Sequence, residues 1–214
     1  MGLMGSSLSL ALKHKNVSKY IIGYDNKNSV RKICIKKKIV NNFLDNLNQV
    51  KNFDLIILCS PLSTYSKILK KIIPQINVPS IITDVGSTKR SVVKEFEKYK
   101  KNKLIEFVPG HPIAGLEKSG PNYGFKDLFK DRYCILTPEI RNTKGEKKIK
   151  NLWNKVGMTV DIMDAHHHDR VLAMTSHIPQ LIAYSIVATS TELEKNIKDE
   201  VIRYSASGFR DFTR

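Results

Sequence analysis

The chain opens Met1-Gly2-Leu3-Met4-Gly5-Ser6-Ser7-Leu8, and this stretch decides the fold once it is read with the segment Tyr20-Ile-Ile-Gly-Tyr-Asp25 that follows. Gly2 and Gly5 have the spacing of the last two glycines of a Gly-x-Gly-x-x-Gly phosphate loop, and Met4, Leu8, Ala11 and Leu12 continue at helical spacing. A loop of this kind brings a pyrophosphate to backbone N–H groups at a helix N-terminus, where the aligned peptide dipoles favour an anion. The apolar run from Tyr20 to Tyr24 reads as the next strand and ends at Asp25, twenty residues after Gly5. A carboxylate at that point accepts both ribose hydroxyls of an adenine dinucleotide. Gly2, Leu3, Met4, Gly5 and Asp25 are therefore candidate cofactor-binding residues. Asp25 favours NAD over NADP because a carboxylate repels a 2′-phosphate, a preference that Lys27 and Arg31 nearby soften. Met1-Gly2-x-x-x-Ser6 also fits an N-myristoylation pattern, but that reading leaves the downstream strand and its acid unexplained. As a signal peptide the segment lacks a positive leading region and a small-residue cleavage site.

Outward from this segment, strand-like and helical patterns alternate. Apolar runs occur at Ile21 to Tyr24, near Ile39 and Val40, and at Leu55 to Cys59, Ile81 to Val85, Ile105 to Val108, Tyr133 to Leu136 and Thr159 to Met163. The expected fold is α/β, a doubly wound, mostly parallel Rossmann-like sheet. Polar or special residues sit at the carboxyl ends of these runs: Asp25, Ser60-Pro61, Asp84 to Ser87, and a loop containing His111. Ligands of such sheets bind outside those ends, so Ser60 and Pro61 join the cofactor candidates. From Asp164 to Thr189 the pattern changes: Val171, Met174, Ile178, Leu181, Ile182 and Val187 predict a long helix with a wide buried stripe, and another helical stretch follows from Asp199. The expected domains are a dinucleotide-binding domain over 1–163 and the first part of an all-helical substrate and dimerisation domain over 164–214.

The loop Phe107-Val-Pro-Gly-His-Pro-Ile-Ala-Gly-Leu-Glu-Lys-Ser-Gly-Pro121 places an imidazole, His111, and a carboxylate, Glu117, among glycines and prolines. Between Gly110 and Pro112 neither a helix nor a central strand persists, so the ring is expected to be aimed by loop geometry. The alternative is a histidine on an ordinary surface turn. His166-His167-His168-Asp169 contains no pair of histidines at the spacing that places two ligands on one helix face. It reads as a helix start capped by Asp164 rather than as a metal site, and no metal is expected.

With 214 residues and 41% hydrophobic composition, the chain can bury one good core and part of a second. Cys34, Cys59 and Cys134 are odd in number, without metal-ligand spacing, and read as reduced core thiols. The net charge of +16 comes from lysines spread over every predicted helix and loop. Without zinc-finger spacing, an aromatic RNA-binding signature or a basic stripe, it points to small anions rather than to nucleic acid. No apolar run reads as membrane-spanning, and a soluble, cytoplasmic protein is expected.

A resemblance to the prephenate and arogenate dehydrogenase family of tyrosine biosynthesis rests on ordered motifs: Gly2-Leu-Met-Gly-Ser-Ser7, Asp84-Val-Gly-Ser-Thr-Lys89, Gly110-His-Pro-Ile-Ala-Gly-Leu-Glu-Lys-Ser-Gly120, Leu128-Phe129 through Leu136-Thr-Pro138, His168-Asp169, Ser176-His-Ile-Pro179 and Gly208-Phe-Arg-Asp-Phe-Thr-Arg214. The resemblance implies NAD-dependent oxidative decarboxylation of prephenate, a small dicarboxylate, to 4-hydroxyphenylpyruvate. Arogenate, or both substrates, is the alternative; a non-catalytic dinucleotide-binding module is the alternative of another class. It further implies His111 as the base at the substrate hydroxyl and Ser87 as a hydroxyl orienting it. Glu117 belongs to an ionic network around the site, Arg214 and Arg210 bind substrate carboxylates, His177 lines the pocket, and further helices form a homodimer. The structural alternatives are a helix cap for Ser87, a solvated loop acid for Glu117 and a frayed end for Arg214.

The sequence departs from the family pattern in three places. Nothing precedes Met1 where the family has its first strand and first loop glycine, so a gap between neighbouring strands is expected. The chain also stops just after Arg214, within the helical domain, and is expected to be a fragment. Gln180 stands where many members have a second histidine after Ser-His-x-Pro; it can hydrogen-bond but cannot titrate.

Overall fold

The computed structural model describes residues 1–192 and 195–212. They form two compact units, Met1–His168 and Asp169–Arg214. In the first unit the order is α1 (Leu3–His14), β1 (Ile22–Gly23), α2 (Asn28–Lys36), β2 (Asn42–Phe43), β3 (Leu55–Leu58), α3 (Tyr65–Ile72), β4 (Ser80–Asp84), α4 (Arg90–Glu97), β5 (Ile105–Val108), β6 (Gly110–Pro112), β7 (Arg132–Leu136), α5 (Lys144–Lys155) and β8 (Met158–Ile162). The helix α6 (Ala165–Leu172) follows.

β3, β4 and β5 are parallel neighbours in that order, with Leu58 opposite Asp84. β1 pairs with β2 in a separate parallel ladder, and among the described residues no ladder joins it to β3. The third sheet runs β6-β7-β8, antiparallel and then parallel.

Side-chain alternation along the strands makes the sheet two-faced. Leu55, Ile57 and Ile81 pack with Leu8 and Leu12 of α1 and Ile149 and Trp153 of α5. Ile56, Leu58 and Ile82 pack on the other face with Leu69 and Ile72 of α3 and Val92 and Phe96 of α4. Helices thus cover both faces, the doubly wound arrangement expected. Leu69 and Ile82 are fully buried, and each contributes about 1.5–3 kcal/mol of transfer free energy.

Two expectations for this unit need correction. Ile39 and Val40 are not a strand. They are buried residues just beyond the end of α2, where Lys38 takes a left-handed φ of 53°, Lys38 N bonds Ile35 O and Ile39 N bonds Cys34 O. This is a Schellman closure, whose apolar residue after the cap folds back on the helix, and the strand itself lies at Asn42–Phe43. His111, expected in a loop, lies in β6, opposite Ile135 of β7. Pro112 is tolerated there because β6 is a three-residue edge strand, where a missing N–H breaks no central ladder.

In the second unit a π-turn over Ala173–His177 leads into α7 (Ile178–Thr191), followed by α8 (Lys195–Arg203) and α9 (Ser207–Phe212). Pro179 has no N–H to give the carbonyl one turn back, which accounts for the irregular winding just before it. The buried stripe expected along this helix is not buried. Met174, Leu181 and Tyr184 are 68%, 63% and 63% exposed, and Ile178, Ile182 and Val187 are also exposed. Ala165–Ser190 forms one helical run, long and apolar enough to cross a membrane by length and composition alone. The expectation that nothing approached that length is corrected accordingly: polar residues interrupt the apolar pattern without interrupting the helix.

Candidate active site

At the N-terminus of α1, Gly2 occupies the capping position, and a side chain built there would meet nothing within 4 Å. Leu3 and Met4 are half-buried behind it. Gly5 serves another purpose: a Cβ on it would sit 3.2 Å from Cys59 Cβ at the end of β3, so this glycine brings helix and strand into contact. Only Gly2 of the two expected glycines is therefore open to an approaching phosphate. Asp25 lies beside this end of the helix, its Oδ2 accepting from the Met1 nitrogen at 2.7 Å and its Oδ1 from Lys27 N at 2.9 Å. Open helix N-terminus and adjacent carboxylate are the donor and acceptor that a dinucleotide's pyrophosphate and ribose require. Arg31 is turned toward Asp45, at 2.8 Å, and toward the ring of Phe43. Ser60 bonds Thr64 at 2.8 Å in the turn after β3, and Pro61 caps the short 3-10 turn Leu62–Thr64.

The second polar centre lies at the carboxyl end of β4. Asp84 and Lys89 are both fully buried. Lys89 Nζ donates to Asp84 Oδ1 and Oδ2 at 2.8 and 2.6 Å and to Gly110 O at 2.7 Å. Asp84 also accepts from Gly110 N at 3.1 Å, Gly86 N at 2.8 Å and Tyr65 Oη at 3.2 Å. Burial, then the Asp84 charge, push the Tyr65 hydroxyl well above the usual phenol range. An ion pair removed from water is tolerable only when its remaining donors and acceptors are also engaged, and these are. Both backbone groups of Gly110 are held by the pair. A Cβ on Gly110 would come 3.2 Å from Asp84 O and 3.2 Å from a Leu136 methyl, so glycine permits the close approach.

His111 follows directly. Its backbone bonds the Cys134 thiol, and burial raises that thiol's pKa strongly. Its Nδ1 lies 2.9 Å from His168 Nε2, the rings edge to face with centroids 5.1 Å apart. Asp164 caps α6 through its Oδ1 to His167 N at 2.9 Å, as the sequence predicted. A helix turns about 100° per residue. Of the three consecutive histidines only His168 is fully buried, whereas His166 and His167 are exposed.

The remaining expected site residues are less enclosed. Ser87 is exposed in the β4–α4 loop, two residues ahead of the Lys89 capping position, so it is not the cap of α4. Glu117 is exposed in the loop after β6. In the second unit His177 ends the π-turn, half-buried, and Arg210 is exposed on α9. Arg214 lies outside the described residues. Reasoning from sequence assigned no role to Asp84, Lys89, Tyr65 or His168. The available signals were an acid ending an apolar run with a lysine five residues on, and a histidine beside the predicted cap.

Comparison with known proteins follows this geometry. Residues 8–162 match the family model for the prephenate dehydrogenase nucleotide-binding domain, and residues 164–214 match the prephenate dehydrogenase dimerization domain. The chain is 36% identical to a cyclohexadienyl dehydrogenase of Zymomonas mobilis over its whole length and 73% of that protein's. It is 33% identical to a prephenate dehydrogenase of Bacillus subtilis, over all of this chain and 58% of that one. The crystal structure of A. aeolicus prephenate dehydrogenase in complex with hydroxyphenyl propionate and NAD+ superimposes with a TM-score of 0.89 at 32% identity, covering 100% of this chain and 74% of that one. Matched by family models along nearly all of its length, the chain belongs to the prephenate dehydrogenase family.

Proposed function

We propose that this protein catalyses the NAD-dependent oxidative decarboxylation of prephenate to 4-hydroxyphenylpyruvate. The observation that carries the reading is the anchoring of His111: its backbone neighbour is gripped by a buried ion pair and its ring by a second imidazole, while α1 leaves an open, acid-flanked helix end for a dinucleotide. When bound, NAD supplies a hydride acceptor for the ring carbon that bears the substrate hydroxyl. His111 withdraws the hydroxyl proton at Nε2, a task suited to a neutral imidazole near physiological pH. The electrons released as the ring carboxylate leaves as carbon dioxide complete the aromatic ring.

In this reading Ser87 hydrogen-bonds near the same substrate oxygen, and Glu117 contributes to the ionic surroundings. Arg214 binds a substrate carboxylate in a planar two-pronged grip, and Arg210 and His177 are further substrate-binding residues. Gly2, Leu3, Met4, Asp25, Ser60 and Pro61 hold the cofactor, and Gly5 keeps α1 close enough to the sheet to present it. Residues 1–163 form the dinucleotide-binding domain, and 164–214 contribute to substrate binding and to a cytoplasmic homodimer. The description of the matched second domain as a dimerization domain and the exposed apolar side chains of α7 support that assembly.

The relative named cyclohexadienyl dehydrogenase favours arogenate as a second substrate. The deciding experiment supplies prephenate or arogenate with NAD or NADP and follows reduced cofactor by absorbance. Turnover of prephenate with NAD is expected. Silence in all four combinations by a folded, NAD-binding protein would replace the enzyme reading with that of a non-catalytic dinucleotide-binding module.

A further inference from the structure

We propose that His168 is a positioning residue that holds His111 in its Nδ1–H tautomer, so that Nε2 is the nitrogen that accepts a proton. The inference rests on the reading of His111 as the base and adds to it a means of controlling which ring nitrogen works.

A neutral imidazole has one donor nitrogen and one acceptor nitrogen. The 2.9 Å contact between His111 Nδ1 and His168 Nε2 therefore has two proton arrangements. In one, His168 donates and His111 carries its proton on Nε2, where it cannot take another from a substrate. In the other, His111 donates from Nδ1 and Nε2 is unprotonated, on the ring edge directed away from His168. Proton transfer distinguishes the two. Once Nε2 has accepted the hydroxyl proton, the imidazolium still donates from Nδ1, and the bond becomes charge-assisted as the reaction proceeds. An interaction that strengthens with developing charge lowers the barrier instead of merely tightening binding. The opposite arrangement gains nothing.

The surroundings restrict the pair to this task. Lys89 and Asp84 fix both backbone groups of Gly110, which sets the position of His111 along β6. His168 holds the Nδ1 edge of the ring. It is fully buried and borne on a helix whose start is capped by Asp164.

The test uses the protein labelled with 15N-histidine and reads imidazole nitrogen shifts, with the His111 signals assigned from the His111→Asn spectrum. In the unsubstituted protein His111 is expected to carry its proton on Nδ1. His168→Gln keeps an acceptor near the Nε2 position and should retain that tautomer and most of the turnover. His168→Leu fills space without an acceptor; it should shift His111 toward the Nε2–H form and lower kcat about 100-fold while KM for prephenate changes little. A proton found on Nε2 of His111 in the unsubstituted protein overturns the proposal. So does equal impairment of the Gln and Leu variants with the tautomer unchanged, which would make His168 a packing residue. If His111→Asn retains full turnover while the tautomer behaves as expected, the base reading fails and the positioning contact stands.

Discussion

The two polar centres of the first unit meet opposite demands. At the N-terminus of α1, Asp25 keeps 17% of its side chain exposed, and Gly2 leaves room beside it. At the end of β4, Asp84 and Lys89 keep none. The first centre stays partly open to water, although Asp25 accepts from the Met1 nitrogen and from Lys27 N. The second has already met its desolvation cost during folding, and in return holds a backbone segment rigidly enough to aim a ring. Substitutions at the open centre should therefore register in binding, and substitutions at the closed one in turnover or stability.

The largest expected effect is at His111. His111→Asn should lower kcat by roughly two to four orders of magnitude, about 3–5 kcal/mol in the barrier, with NAD affinity retained. Single-turnover kinetics beside cofactor titration checks this, and a parallel loss of NAD binding would blur the distinction between the centres. Lys89→Met strands the Asp84 charge in the interior and should cost about 3–5 kcal/mol in urea unfolding. Lys148→Met is the control, because Lys148 and Asp54 form an exposed pair at 2.6 Å that should be worth less than about 1 kcal/mol. The Lys148 hydrogen bond lowers the Asp54 pKa. That small contribution is present above the unfolded carboxyl value and is lost as pH falls through the folded one.

At the open centre, Asp25→Ala should raise KM for NAD about tenfold, roughly 1.4 kcal/mol, and narrow the preference over NADP while leaving kcat nearly unchanged. A large fall in kcat with unaltered KM would contradict the division of labour. The smallest effect concerns Cys59, which lies between the two centres. Burial pushes its thiol up to about 12, so at pH 8 it should react negligibly with a disulfide reagent in the native protein and readily once unfolded.

How much of this was legible beforehand depended on the range of the determining interactions. The phosphate-loop glycines, Asp25 and the alternating apolar runs are local patterns, and they led to the sheet and its helices. Asp164 capped its helix as read, because a cap involves neighbours only a few residues away. Ile39 and Val40 misled because a Schellman closure and a short strand both place apolar residues in succession. The π-turn and the exposed face of α7 were not anticipated: apolar periodicity identifies which face of a helix needs covering, but not what covers it.

The sequence by itself determined a doubly wound dinucleotide fold, and it put forward Asp25 and His111 as candidates for cofactor binding and proton transfer. Only the tertiary structure decided that Asp84 and Lys89 converge on Gly110, that His111 lies on an edge strand instead of a loop, and that His168 alone of three adjacent histidines turns inward to meet it. These contacts join residues up to 57 positions apart. Their existence depends on how strands stack and helices rotate, since pairing within a dry interior is set by three-dimensional proximity and the cost of leaving any charge or polar group unmet.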